Sequence, residues 1–381
     1  MRVVALGDVA TIERQGVDPD ALPPHTAYLG LEHIERGGRI LGASTVAEAE
    51  LASTKFRFSA EHVLFGKLRP NLGKISRPDF DGVCSTDILP IRPGRDLDRG
   101  YLAHYLSQPS MVAFAASRTS GANLPRLSPA VLAQTPIPLP PLPEQRRIAA
   151  ILDHADALRA KRREVLAHFD GLTQSIFHDM FSHASSAAAV EDVATQIRTG
   201  PFGSQLLHSE FVDEGIAVLG LDNVVGNEFR WAERRFITPA KYEPLKRYTV
   251  RPGDVLISIM GTTGRCVVVP EDIPTAINTK HICAVSVDGA RLDPAFLRAA
   301  FLWHPEAREH LRSQTKGSIM AGLNMGIIKA MPVPVPPIDR QREFAERARR
   351  VAVARTSATT ALAAEDELFA SLQARAFDGR L

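Results

Sequence analysis

The sequence predicts an α+β chain: two mixed α/β domains joined by two long helices that pair as an antiparallel coiled coil. Three observations predict it. Short segments recur in the same order: Asp8-Val9-Ala10-Thr11 returns as Asp192-Val193-Ala194-Thr195, Leu29-Gly30-Leu31 as Leu219-Gly220-Leu221, and Leu97-Asp98 as Leu292-Asp293. The proline-rich stretch Pro136-Ile137-Pro138-Leu139-Pro140-Pro141 through Gln145 returns as Pro332-Val333-Pro334-Val335-Pro336-Pro337 through Gln341. After each stretch, apolar residues recur at alternating steps of four and three. A repeat this long is no solenoid unit of about 20 to 50 residues. The duplicated unit is a domain with its own hinge and helix.

Residues 1–135 read as the first mixed domain. Val63-Leu64-Phe65 and Ile88-Leu89-Pro90-Ile91 look like strands, punctuated by Arg69-Pro70-Asn71 and Arg92-Pro93-Gly94. Gly100 to Ala116 has helical spacing, and the polar run Arg118 to Pro125 reads as a loop. Residues 136–183 hold the hinge and the first long helix. Five prolines in 136–143 suggest an extended, semi-rigid spacer without ladder donors. The helix should start near Glu144 and carry a seam at Ile151, Ala155, Leu158, Val165, Phe169, Leu172 and Ile176, with Arg162 filling the missing step.

Residues 184–331 repeat the mixed domain, with strands expected at Val255 to Ile259 and Cys266 to Val269 around Gly261-Thr262-Thr263-Gly264. Residues 332–381 repeat hinge and helix. The second seam reads Phe344, Ala348, Val351, Ala358, Leu362, Phe369, Leu372 and Ala376, with Arg355 and Glu365 in its gaps. A helix of 35 to 40 residues is roughly 50 to 60 Å long and cannot bury a heptad stripe alone. Two stripes in one chain pair most economically with each other; the plainer alternative docks each stripe on its own domain. Arg162 in the seam either marks register or snorkels out of it.

Composition narrows the function classes. At 381 residues, 45% hydrophobic and 23% charged, the chain is an ordinary globular protein with room for two or three cores. The N-terminal apolar run is broken by Asp8, Glu13 and Arg14, so no signal peptide is expected. No run reaches the length of a membrane span. Cys84, Cys266 and Cys283 lack CxxC spacing, which argues against disulfides and zinc and for the cytosol. A net charge of +2 is modest for a nucleic-acid binder, unless the charge is concentrated on one face.

Catalytic motifs are missing. Gly261-Thr262-Thr263-Gly264-Arg265 lacks the GxxxxGK[ST] pattern and reads as a turn. Cys84 reads as a small buried hydrophobe, and His208 and His281 have no ligand spacing around them. The chain has neither a glycine-rich cofactor loop after a first strand nor an Asn/Asp-Pro-Pro-aromatic motif, so it is not expected to be an adenine methyltransferase itself.

Pro138-x-Pro140-Pro141-x-x-Glu144-Gln145 before a long helix resembles the central conserved region of the specificity subunits of type I restriction–modification enzymes. So does Ser175-Ile176-Phe177-His178-Asp179-Met180-Phe181 at that helix's end, and Ala376-Phe377-Asp378-Gly379-Arg380-Leu381 resembles that family's C-terminal ending. Thr199-Gly200-Pro201-Phe202-Gly203-Ser204, Gly261-Thr262-Thr263-Gly264 and Lys316-Gly317-Ser318 through Leu323-Asn324 resemble segments of its target-recognition domains.

The resemblance implies a non-catalytic subunit whose two target-recognition domains each read half of a split site on double-stranded DNA. It implies two methyltransferase subunits docked on the helices, with S-adenosylmethionine on those subunits and no cofactor on this chain. A motor–nuclease subunit would join through the complex, and no membrane is involved. It further implies partner contacts at the hinges, through Glu144 and Gln145 and through Arg340 and Gln341. Asp339-Arg340 stands where the first hinge has Pro143-Glu144, so the two ends should make unequal contacts.

Polar, basic loops at matching places are the candidate DNA readers. In the first domain they are Lys67, Arg69, Asn71 and Lys74, then Arg118, Ser120, Asn123 and Arg126. In the second they are Thr262, Thr263 and Arg265, then Asn278, Lys280 and His281, then Lys316, Ser318 and Asn324. Arg and Lys suit phosphate or guanine, Asn suits adenine, and Ser and Thr suit either. The plain alternative is a set of solvated, turn-forming loops. At the level of the whole chain, the rivals are a coiled-coil adaptor with two protein-binding domains and the specificity subunit of a combined cutting–methylating enzyme.

Overall fold

In a computed structural model, residues 2–121, 123–231, 234–315 and 322–381 are described. The chain divides into two compact units. Unit 1 comprises Met1–Glu164 with Thr359–Leu381, and unit 2 comprises Val165–Ala358. The division falls within both 40-residue helices, Leu142–Phe181 and Ile338–Phe377.

The two units are built on one plan. In unit 1, strands Ala10–Ile12, Ile88–Pro93, Val63–Gly66 and Ile75–Ser76 lie in that order in an antiparallel sheet. In unit 2, Ala194–Thr199, Ile282–Val287, Val255–Ser258 and Cys266–Val268 take the same order. Val63–Gly66 and Val255–Ser258 are buried at every position and carry no polar side chain but Ser258. Such strands need cover on both faces. A helix supplies one cover in each unit, Arg99–Leu106 or Pro294–Trp303.

A second sheet supplies the other. It holds a parallel pair, Ala27–Leu29 with Gly82–Cys84 in unit 1 and Ile216–Leu219 with Ala276–Asn278 in unit 2. In unit 2, Arg198 ties the two sheets together: it pairs with Asp254 and donates to the Thr249 carbonyl. The expected helical run Gly100 to Ala116 is two helices, Arg99–Leu106 and Pro109–Ser117. The break precedes Pro109, because a residue before proline is pushed out of the helical region.

The prolines of the hinges do not stand free as a spacer. Pro136–Pro138 pairs with Val3–Ala5, and Pro332–Val333 pairs with Ala188–Ala189. An edge position tolerates residues that lack an N–H. Each long helix then opens with a glutamine turned inward. Gln145 Oε1 accepts from the Asp98 N–H at 2.8 Å, and its amide donates to the carbonyls of Asp96 and Pro140. The next residues, Ile148 and Leu152, continue the buried face.

The long helices lie side by side in each unit and run in opposite directions. In unit 1, Arg147 reaches the carbonyl of Leu381, while Arg159 pairs with Asp366 at 2.7 Å and Arg162 with Glu365 at 2.9 Å. In unit 2, the rings of Phe177 and Phe344 lie 5.6 Å apart and Arg355 pairs with Asp170 at 3.5 Å. On the second helix Phe344 and Ala358 are buried, and Ala348, Val351, Leu362, Phe369 and Leu372 are half-buried.

The first helix corrects the sequence reading. Leu158, Val165 and Leu172 are exposed, at 47%, 44% and 39%. The inward positions are one residue later, at Arg159, Leu166 and Thr173, alongside Ala155, Arg162, Phe169 and Ile176. An apolar count skips arginines, yet Arg159 lies over the Phe369 ring at 4.2 Å while paired with Asp366.

Candidate nucleic-acid interface

Each unit gathers loops at one end of its sheets, and the shared element is a turn that follows the parallel pair. Gly30 donates its N–H to His33 Nδ1, and Gly220 donates to Asn223 Oδ1. The neighbouring loop is anchored alike in the two copies, by Ser85 N–H to the Leu29 carbonyl and by Thr279 N–H to the Leu219 carbonyl. At both glycines the acidic side chain two residues on folds back over the bare Cα. A Cβ on Gly30 would overlap the Glu32 carboxylate, and one on Gly220 would meet Asp222 Oδ1 at 2.6 Å.

In unit 1 the two candidate clusters meet. Lys67 N–H donates to the Asp87 carbonyl, Arg69 N–H donates to Pro125, and Leu68 bridges Arg126. Arg69 sits at φ +49 just before Pro70. That conformation is costly for a residue with a Cβ and is kept where the surroundings enforce it. Arg69 and Asn71 are exposed and Lys67 is half-buried; none has a side-chain hydrogen bond or ion pair among the described residues. Lys74 is committed, donating to the Leu31 carbonyl at 2.7 Å. Arg126 forks onto Asp87 at 2.9 and 3.2 Å. Arg118, Ser120 and Asn123 are exposed, with Arg118 stacked on Phe114.

In unit 2 the loops also meet. Ile259 N–H donates to the His281 carbonyl, so the turn holding Thr262, Thr263 and Arg265 lies beside Lys280. Thr262, Arg265 and Lys280 are exposed, while Thr263 and His281 are half-buried. Burial, and then the charge of Lys280, hold the His281 imidazole below its ordinary value. Asn278 is a correction: it is fully buried in the parallel pair and donates to the Ile282 carbonyl, so it cannot meet a base edge. Asn324 is exposed, and its side chain caps the helix Met325–Lys329. Lys316 and Ser318 lie outside the described residues.

The hinge residues separate into two kinds. Glu144 and Arg340 are at the surface in local pairs with Arg147 and Glu343. Gln145 and Gln341 are wholly buried, which corrects their assignment as partner contacts: their amides are spent on the chain's own backbone. Among the described residues no group of His, Cys, Asp and Glu could hold a metal ion. Burial pushes Cys266 and Cys283 up to about 12, and Cys84 higher still, so these thiols are poor nucleophiles. No described helix is long and apolar enough to cross a membrane.

The sequence reading missed the acidic residue two positions after each turn glycine, Glu32 and Asp222, and Thr279 and Arg235 beside the second. Their signal was present: an acid follows both Leu-Gly-Leu repeats. In unit 2, Asp222, Thr279 and Arg235 line a cleft of about 660 Å³ together with Arg234, Lys280 and His281.

Residues 1–168 match the family described as type I restriction modification DNA specificity domain. Over that stretch the chain is similar to the specificity subunits of type I restriction–modification enzymes. Over 186 residues it is 31% identical to the type I restriction enzyme EcoDI specificity subunit of Escherichia coli, covering 48% of this chain and 40% of that one. Over 314 residues it is 26% identical to the EcoBI specificity subunit of the same organism, covering 73% and 65%. The chain thus spans less than two thirds of the length of these relatives. The solved type I restriction–modification S subunit from M. genitalium has a similar fold, with a TM-score of 0.63 at 13% identity over 99% of this chain and 96% of that one.

Proposed function

We propose that this chain reads a bipartite site on double-stranded DNA, one half with each domain, as the non-catalytic specificity subunit of a methylating and restricting complex. The observation that carries the reading is the duplication of the loop cluster. The same turn, hairpin loop and anchoring backbone bonds occur in each unit, but with different side chains at the tips. One plan used twice with different tips suits two different half-sites. The cations at those tips, Lys67 and Arg69 in one copy and Arg265 and Lys280 in the other, have no side-chain partner among the described residues and suit phosphate and base contacts.

In this reading residues 1–135 and 184–331 are the target-recognition domains. The paired helices form a coiled coil that spaces them, and the exposed helix and hinge surfaces, with Glu144 and Arg340, dock two methyltransferase subunits. Those subunits carry S-adenosylmethionine, and a motor–nuclease subunit joins through the complex in the cytoplasm. This chain contributes recognition and no chemistry. Base-resolution methylation sequencing of cells with and without the gene tests it: a split motif should lose methylation when the gene is removed. An unchanged methylome, together with no gel shift of duplex DNA by the chain and its methyltransferase, would favour a protein-binding adaptor.

A further inference from the structure

The cleft of unit 2 contains hydrogen-bonding capacity that the chain leaves unused. Asp222 Oδ2 and Thr279 Oγ1 are both buried and both without a partner among the described residues, and both residues line the cleft. Behind them, Asn278 Oδ1 is a third such oxygen. Two of these three atoms can only accept a hydrogen bond, and the hydroxyl can accept. Buried acceptors without donors are costly and rare in folded proteins. Asp222 is held in place rather than loose. Its other oxygen accepts from Arg235 at 3.1 Å, and the bare Cα of Gly220 leaves room for both groups. Arg234 and Lys280, exposed at the rim, supply positive charge around this acceptor-rich floor.

The matching place in unit 1 is different. Glu32 follows Gly30 as Asp222 follows Gly220, but Glu32 is 65% exposed against 28% for Asp222. Ser85, anchored like Thr279, has its hydroxyl committed to the Asp87 N–H at 3.2 Å. The unused acceptors are therefore a property of the second copy.

We infer that Asp222, with Thr279, is a specificity-determining pair that accepts a hydrogen bond from the exocyclic amino group of one base in the half-site read by unit 2. This rests on the DNA-reading function proposed above. The chemistry is selective because amino donors occur on adenine N6 and cytosine N4 in the major groove and on guanine N2 in the minor groove. Thymine has none. A base amino group would supply the donor that the cleft lacks, while Arg234 and Lys280 hold the adjacent phosphates.

The test uses the complex of this chain with its methyltransferase and duplexes carrying the wild-type methylation motif. Each amino-bearing base of the half-site is replaced in turn by its amino-free analogue: purine for adenine, 2-pyrimidinone for cytosine, inosine for guanine. At one position the analogue should weaken binding by wild type about tenfold or more. The same analogue should leave binding by Asp222→Asn nearly unchanged, because that variant has already lost the contact. Thr279→Val, which keeps the Asp222–Arg235 pair, should lose discrimination at that same position, and the unit 1 half-site should read normally in both variants. The inference is overturned if every analogue weakens wild type and both variants equally. A wild-type complex with no sequence preference would overturn the DNA-reading function as well.

Discussion

Gln145 and Gln341 hold the same three kinds of backbone group in the two copies. Each accepts from the N–H of the aspartate that caps the covering helix, Asp98 or Asp293. Each donates to a carbonyl just before that aspartate, on Asp96 or Arg291, and to a hinge carbonyl, on Pro140 or Pro336. One side chain thus fastens hinge, long helix and domain at a single buried point.

Removing that point should be costly. Gln145→Ala leaves a buried N–H and two carbonyls without their partner, at about 1–3 kcal/mol for each group left unsatisfied. Chemical denaturation should show a lower midpoint for Gln145→Ala and for Gln341→Ala, whereas Glu144→Ala, at the surface, should stay close to wild type.

Phe177 should be a cornerstone of unit 2. It is buried against Phe181, Phe296 and Phe344, with ring centroids 5.6 to 5.8 Å away. Phe177→Ala should destabilise by about 3–5 kcal/mol. Leu172→Ala, on an exposed stretch of the same helix, should change stability by less than about 0.5 kcal/mol. Equal losses in thermal melts would contradict this register of the first long helix.

Arg162 and Glu365 should be coupled. Removing either alone strands a partly buried charge, and Glu365 already has one buried oxygen without a partner among the described residues. Replacing both by apolar residues of similar volume should recover much of the loss. A double-mutant cycle of Arg162→Met and Glu365→Leu should give an interaction energy of roughly 0.5–3 kcal/mol; simple additivity would show that the pair carries no coupling.

Acid should weaken unit 1 through Asp153. Burial pushes this carboxyl up, but hydrogen bonds from His104 and Arg77 and the charge of Arg77 outweigh it, holding the carboxyl well below the usual range. A lowered folded-state value stabilises the fold above the unfolded value, near 3.9. That stabilisation fades as pH falls further, toward the folded value. Asp153→Asn should therefore be less stable than wild type at neutral pH, and its stability should fall less steeply below about pH 4. Parallel acid-unfolding curves would contradict this.

The thiols should stay silent until the chain unfolds. With Cys84, Cys266 and Cys283 buried and their thiolates disfavoured, a thiol reagent at neutral pH should label them only at the rate of opening. Rapid labelling of the native chain would place at least one of them at the surface.

Much of the fold was legible because it is repeated. Periodicity and proline punctuation are local signals, and a repeat reports each of them twice. The chain of strands from Val63 and from Val255, the two hinges, and the stripe from Phe344 to Ala376 could all be read from residue type and spacing alone. The register of the first long helix could not. Leu158, Val165 and Leu172 satisfy a heptad as well as Arg159, Leu166 and Thr173 do, and only the facing Asp366, Glu365 and Phe369 make two arginines welcome on the inside. The roles of polar residues were equally hidden. Gln145 and Asn278 are ordinary surface types in sequence, and each is buried because a backbone group far along the chain, or across a tight turn, needs its amide. Spacing along the chain determined which elements exist and how often. Which polar groups are consumed in holding those elements together, and which remain for a ligand, depends on partners brought near only by tertiary packing, and so was decided by the folded structure.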